Sequence, residues 1–156
     1  MVAATRAWGA PPAQGEPRGI RMSQQNVDCL CRAVELGNAG ELGELAQLYD
    51  AEVEIRDLAN PPDGPEMVHG RTGIIAAWAR WLDALENWNV ELVEIVDAHP
   101  WVVCDMRWHS TGRGSTAPTE WRLTDAFEVQ DGRIVRQIAG FQDVASAMRE
   151  VSKISS

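Results

Sequence analysis

No apolar run in this 156-residue chain approaches the roughly 20 residues needed to cross a bilayer. The opening stretch, Met1 to Met22, lacks an apolar h-region and so does not read as a secretory signal, and a cytoplasmic location is expected. Basic residues are scarce: 14 stand against 23 acidic ones, for a formal charge of −9. Residues 1–22 carry three Arg and one Glu, which leaves 11 basic and 22 acidic residues, or −11, for the rest. A surface that acidic repels phosphate backbones, which excludes nucleic acid as a partner. Nor is there a basic amphipathic helix to lie on anionic lipid. Cysteines number three, Cys29, Cys31 and Cys104, an odd count that fits a reducing compartment rather than a disulfide framework. Cys29-x-Cys31 would place its thiols on different sides of a helix, and His69, His99 and His109 show no ligand spacing, so no metal or other cofactor is expected. No internal repeat is visible, and no low-complexity stretch beyond the N-terminal tail.

What is present is enough for one core. Hydrophobic residues make up 45% and charged residues 24%, as in a soluble single domain. Residues 1–22, with Pro11, Pro12 and Pro17, read as a disordered extension. Ser23 is a candidate N-cap for a first helix carrying Val27, Leu30, Cys31, Val34 and Leu36, which Gly37 and Gly40 interrupt. A second short helix holds Leu42, Leu45, Ala46, Leu48 and Tyr49. A short strand, Glu52 to Leu58, puts Val53 and Ile55 on one face. Asn60-Pro61-Pro62-Asp63-Gly64-Pro65 reads as a loop. Gly70-Arg71-Thr72 opens a helix with a stripe of Ile74, Ile75, Trp78, Trp81, Leu82 and Leu85.

Beyond Glu86 the period changes from helical to alternating. Strands are predicted at Trp88–Asp97, Trp101–Arg113, Thr116–Gln130 and Arg133–Phe141, and a closing helix over Asp143 to Val151. Asp131-Gly132 is a two-residue hairpin signal, because both positions take positive φ. The pattern is an α+β domain over residues 23–151, with 152–156 as a tail. A curved, cone-shaped antiparallel sheet packs on N-terminal helices around a hollow.

Hairpin register then sorts the residues. With the turn centred between Gly114 and Ser115, Trp108 faces Trp121, Met106 faces Leu123, Cys104 faces Asp125 and Val102 faces Phe127. The Asp131-Gly132 turn brings Ile138 opposite Asp125. One face is thus apolar except for Asp125. Burial of a lone carboxylate costs several kcal/mol on the order-of-magnitude scale for unpaired charges, and it raises the pKa toward the range useful in acid/base chemistry. The plainer alternative is that Asp125 binds a helix N-terminus or a hydroxyl, or that a bulge turns it to solvent. Asp105, Arg107 and His109, opposite Thr124, Arg122 and Glu120, form a charged outer face.

The run Leu123-Thr124-Asp125-Ala126-Phe127-Glu128-Val129-Gln130-Asp131-Gly132-Arg133-Ile134-Val135 resembles the SnoaL-like polyketide cyclases. These sit within the nuclear-transport-factor-like superfamily of cystatin-like folds, beside ketosteroid isomerases, scytalone dehydratase and limonene epoxide hydrolase. Leu48-Tyr49-Asp50-Ala51-Glu52-Val53-Glu54 and His69-Gly70-Arg71-Thr72-Gly73-Ile74 extend the resemblance to residues 23–151. In the cyclases an Asp before the Asp-Gly turn is the acid/base of an intramolecular aldol closure, and Asp125 stands in that position, six residues before Asp131. The cyclases also use a His within Gly-Thr-His on the preceding strand. The counterpart here is His109, in Arg107-Trp108-His109-Ser110-Thr111-Gly112 without the Gly-Thr, and the register puts it on the outer face. The Arg and two Asp of the epoxide hydrolases have no pocket-facing match, because Met106 and Trp108 occupy those places.

The expected function is a cofactor-independent enzyme closing a ring in a hydrophobic polyketide or related carbonyl compound. Alternatives are isomerisation, dehydration or epoxide hydrolysis on the same fold, or a binding module without catalysis. Asp125 and His109 are the catalytic candidates. Expected substrate contacts are Tyr49, Arg56, Trp78, Trp81, Cys104, Met106, Trp108, Trp121, Leu123, Phe127 and Ile138, with Tyr49, Trp108 and Arg56 as possible enolate donors. For each helix Trp, plain core packing is the competing reading. Trp101 and Val103 on the outer face suggest a homodimer.

Overall fold

A computed structural model describes residues 18–58, 67–83, 85–112 and 118–155. The Pro-rich loop, the Gly114-Ser115 turn and residues 1–17 of the N-terminal extension lie outside them. Helix α1 runs Arg18–Asn38 and thus starts before Ser23. It passes through Gly37 and stops at Gly40, whose φ is 75°. There Glu41 N–H donates to Leu36 O and Gly40 N–H to Gly37 O, the paired bonds that close a helix on a left-handed residue. Asn38 then bonds both backbone groups of Val90 at 2.8 Å, tying the helix end to the sheet.

Helix α2 (Leu42–Gln47) leads into β1 (Tyr49–Asp57), which is followed by β2 (Met67–His69) and α3 (Gly70–Asp83). Arg71 at the start of α3 donates to Ala46 O and Tyr49 O, so the helix is anchored where β1 begins. Leu85, expected on the α3 stripe, instead opens β3 (Leu85–Ala98). The meander continues with β4 (Trp101–Gly112), β5 (Pro118–Gln130) and β6 (Arg133–Phe141). Helix α4 spans Val144–Ser155, so residues 152–155 are helical rather than a tail.

The six strands form one curved sheet in the order β2-β1-β6-β5-β4-β3. Among the described residues only the β1–β6 pairing is parallel. The Asp131-Gly132 turn has both φ values positive, 51° and 76°, as a tight hairpin needs. Every pair expected across β4 and β5 is present, from Trp108 opposite Trp121 to Val102 opposite Phe127.

The sheet has a core on each face. One contains Leu30, Tyr49, Val53, Ile74, Val102, Cys104 and Phe127. The other lies under α4 and contains Trp101, Val103, Ala126, Ile138, Ala147 and Val151. Expectation of a homodimer through Trp101 and Val103 loses its basis here: both are fully buried, because α4 folds back over that end of the sheet. What remains open on the outer face is charged. Arg122 pairs with Asp105, Arg107 with Glu91 and Glu120, and His109 with the same two glutamates.

Candidate functional site

Between α1, α3 and the inner face of the sheet lies a cavity of about 250 Å³. Among the expected residues, Tyr49, Trp78, Trp81, Cys104 and Met106 line it, as do Trp108, Trp121, Leu123, Asp125 and Phe127. Trp88, Trp108 and Trp121 stand on neighbouring strands with rings stacked at 5.7 and 5.8 Å. Tyr49 meets Trp78 edge to face at 5.5 Å. Offset and edge contacts of this kind hold aromatic walls in fixed positions. Trp81 is 47% exposed, so its indole forms part of the rim as well as the wall.

Three expected residues are elsewhere. His109 lies on the outer face between Glu91 and Glu120, where the alternation of β4 sends it; no bulge interrupts the β4–β5 ladder. Arg56 is exposed, pointing away from the Val53–Ile55 face of β1. Ile138 does not oppose Asp125. It pairs with Ala126 and joins the core beneath α4. The reason is an irregularity in β6: Val129 pairs with Ile134, but Glu128 pairs with Arg136. One extra residue there reverses which side chains face inward beyond it.

That shift brings Gln137 into the cavity in place of Ile138. A second irregularity, between the Thr124 and Ala126 pairings, coincides with Gly140 at φ 89°, a conformation suited to glycine. Together they surround Asp125. Gln137 Nε2 donates to Asp125 Oδ2 at 3.0 Å, and Gly140 N–H donates to Oδ1 at 3.0 Å. Tyr49 Oη in turn donates to Gln137 Oε1 at 3.2 Å. Asp125 is 6% exposed. Burial pushes its carboxyl from 3.8 up to about 6, against the opposing pull of the Gly140 and Gln137 hydrogen bonds; the Asp57 charge adds to the rise. Tyr49 is raised as well, by burial and by the Asp125 charge. The Cys104 thiol, opposite Asp125, is held well above its usual value for the same two reasons.

Asp57 also lines the cavity. It pairs with Ala139 on β6, next to the Gly140 that holds Asp125, so the two carboxylates flank the same stretch of strand. The alternation of Val53 and Ile55 extended by two residues points to Asp57. Trp88 follows from Val90, which pairs with Trp108, by the same alternation. No sequence signal marks Gln137, because its inward position depends on the bulge. Of the expected enolate donors, Tyr49 is engaged with Gln137, and Trp108 Nε1 is buried without a hydrogen-bond partner among the described residues. No group of metal-ligating side chains is assembled among the described residues. No helix among them is long and apolar enough to cross a membrane.

A curved sheet wrapped by helices around an apolar cavity defines the ketosteroid-isomerase-like, NTF2-like class of fold. Solved structures of that class superimpose well. A protein with a ketosteroid isomerase-like fold from Catenulispora acidiphila, solved with trimethylamine, is 16% identical, covers 78% of this chain and 90% of its own, and gives a TM-score of 0.63. Bal32a, from a soil-derived mobile gene cassette, is 18% identical over 81% of this chain and 95% of its own, at 0.68. IdmH of Streptomyces antibioticus, a candidate polyketide cyclase, is 20% identical over 82% and 99%, at 0.65. Among curated proteins none matches. The SnoaL-like domain model matches residues 31–137, and the chain belongs to that family.

Proposed function

We propose that this protein is an enzyme that moves a proton at a carbon next to a carbonyl in a small apolar substrate, closing a ring as polyketide cyclases do. The observation that carries the reading is Asp125: a buried carboxylate at the wall of an apolar cavity, held among the described residues by two neutral donors and no cation, with its pKa raised to about 6. Such a group is half ionised at about pH 6, mostly a carboxylate at neutral pH, and able both to take and to return a proton. The apolar walls supply the other half of the chemistry. They favour folded conformers of a flexible chain, so that one carbon lies close to another and the entropy of closure is met on binding. IdmH, a candidate polyketide cyclase on the same fold, agrees with this reading.

A second reading rests on Asp57. Two carboxylates flanking one stretch of β6 suit an isomerase, in which one removes a proton and the other, neutral, donates to the developing oxyanion. Both readings share a first event, exchange of a substrate α-proton with solvent. Incubation of hydrophobic ketones and β-dicarbonyl compounds in D2O, followed by NMR, tests it. Loss of exchange by about 10²–10⁴-fold in Asp125→Asn is expected for removal of a general base. Full exchange in that variant refutes the assignment. Compounds that bind tightly without exchange support a non-catalytic binding module.

A further inference from the structure

Removal of a proton from carbon leaves an enolate oxygen that needs a hydrogen-bond donor, and the two polar side chains next in line from Asp125 are already engaged. Tyr49 donates to Gln137, and Gln137 donates to Asp125. The three side chains form one line from β1 through β6 to β5, all on the cavity wall. With Asp125 ionised, only one orientation of the Gln137 amide satisfies both neighbours, since a carboxylate accepts and cannot donate.

We propose that Gln137 is an amide switch: protonation of Asp125 reverses the amide and frees the Tyr49 hydroxyl to donate into the cavity. This rests on the proton-transfer reading above and adds to it a donor coupled to the base. The substrate C–H bond breaks, its electron pair stays on the substrate as the enolate, and the proton lands on Asp125 Oδ2. Oδ1 remains held by the Gly140 backbone N–H, which cannot turn away. Oδ2–H and Gln137 Nε2–H are now two donors facing each other. Rotation about the last torsion of the glutamine, which is broad and nearly two-fold, presents Oε1 to Asp125 and Nε2 to Tyr49 Oη. Tyr49 becomes an acceptor from Gln137, and its own proton turns to the enolate oxygen. Return of the proton to the product carbon resets every bond. Gln137 is a positioning residue in this scheme, and Tyr49 is the catalytic donor.

Tyr49 is the one tyrosine in the sequence, so [13Cζ]tyrosine labelling gives a single NMR signal. The groups facing Asp125 are Tyr49 and Asp57 from β1 and Cys104 from β4, with Cys29 and Cys31 of α1 behind them. Burial holds Cys29 at about 11 and, together with the Asp28 and Glu35 charges, Cys31 at about 12. The titration therefore needs one control, Asp57→Asn. In the wild-type protein the Tyr49 signal is expected to shift with a midpoint of about 6, where Asp125 titrates. The shift is expected to persist in Asp57→Asn and to vanish in Asp125→Asn and in Gln137→Met. A flat wild-type signal between pH 4 and 8 overturns the proposal without recourse to any variant. So does a shift that survives in Gln137→Met, because Asp125 would then act on Tyr49 through space. No substrate enters the measurement, so its outcome is separate from that of the exchange assay.

Discussion

Trp108 stacks on Trp121 with ring centroids 5.8 Å apart and planes 12° from parallel, across the non-neighbouring sequence of a hairpin. Trp88 extends the stack on the other side. The indoles thus support one another as a wall, and the middle ring has most to lose. Trp108→Ala is expected to destabilise the fold by about 3 kcal/mol, near the lower end for a large aromatic truncation. Trp81→Ala, at the rim, is expected to change stability by less than about 1 kcal/mol while weakening apolar ligands. Urea unfolding beside ligand titration separates the two effects.

Asp125 makes stability depend on pH in an unusual direction for a carboxylate. It keeps its proton to about 6 when folded, against an ordinary 3.8. Between those values the folded chain binds more protons than the unfolded one, so the contribution of this group is full below about 3.8 and is lost as pH rises through 6. Asp125→Asn removes the penalty and can keep both hydrogen bonds by reversing Gln137. It should therefore gain about 3 kcal/mol relative to wild type at pH 8 and nothing at pH 3. Thermal melts of both proteins at the two pH values check this. An equal gain at both values refutes burial as the cause.

The same group shapes the rate. If Asp125 acts as the base, kcat/KM rises with pH through about 6 and then levels. If it acts as the neutral donor of the isomerase reading, kcat/KM falls across the same range. A pH–rate profile on any substrate found by the exchange assay distinguishes the two.

Ile138 tests the bulge. Ile138 packs beneath α4 with Trp101 and Ala147, so Ile138→Ala should cost about 2–5 kcal/mol of stability and leave ligand affinity in the cavity unchanged. Weakened binding without destabilisation would mean that β6 keeps an unbroken register.

All three cysteines are free and buried, and burial raises each thiol. Because the thiolate is the reactive form, alkylation of the native protein at pH 8 should be slow at all three, and unfolding should make it rapid. Fast native labelling of Cys104 would show that the cavity admits both water and charge.

Much of the fold was legible because its signals are local. Alternation, the change from helical to strand period at the end of α3, and the Asp131-Gly132 turn defined the meander and the β4–β5 register. That register in turn made Asp125 stand out, since a single carboxylate in an apolar face is visible from pairing alone. Error began wherever position depended on something distant. Trp101 and Val103 have the alternation of an open face, and only the return of α4 covers them. Gly37 looks like a helix stop, yet α1 passes through it because the capping bonds form at Gly40.

The amino-acid sequence by itself determined the α+β architecture, the apolar face of the sheet and the anomalous position of Asp125, because each follows from periodicity and turn chemistry within a few residues. The tertiary structure decided what surrounds that carboxylate. Two irregularities in β6 moved Ile138 out and Gln137 in and brought the Gly140 amide to Oδ1. The sequence does not announce where a ladder absorbs an extra residue, because curvature of the whole sheet sets that point, and a single-residue slip reverses every side chain beyond it.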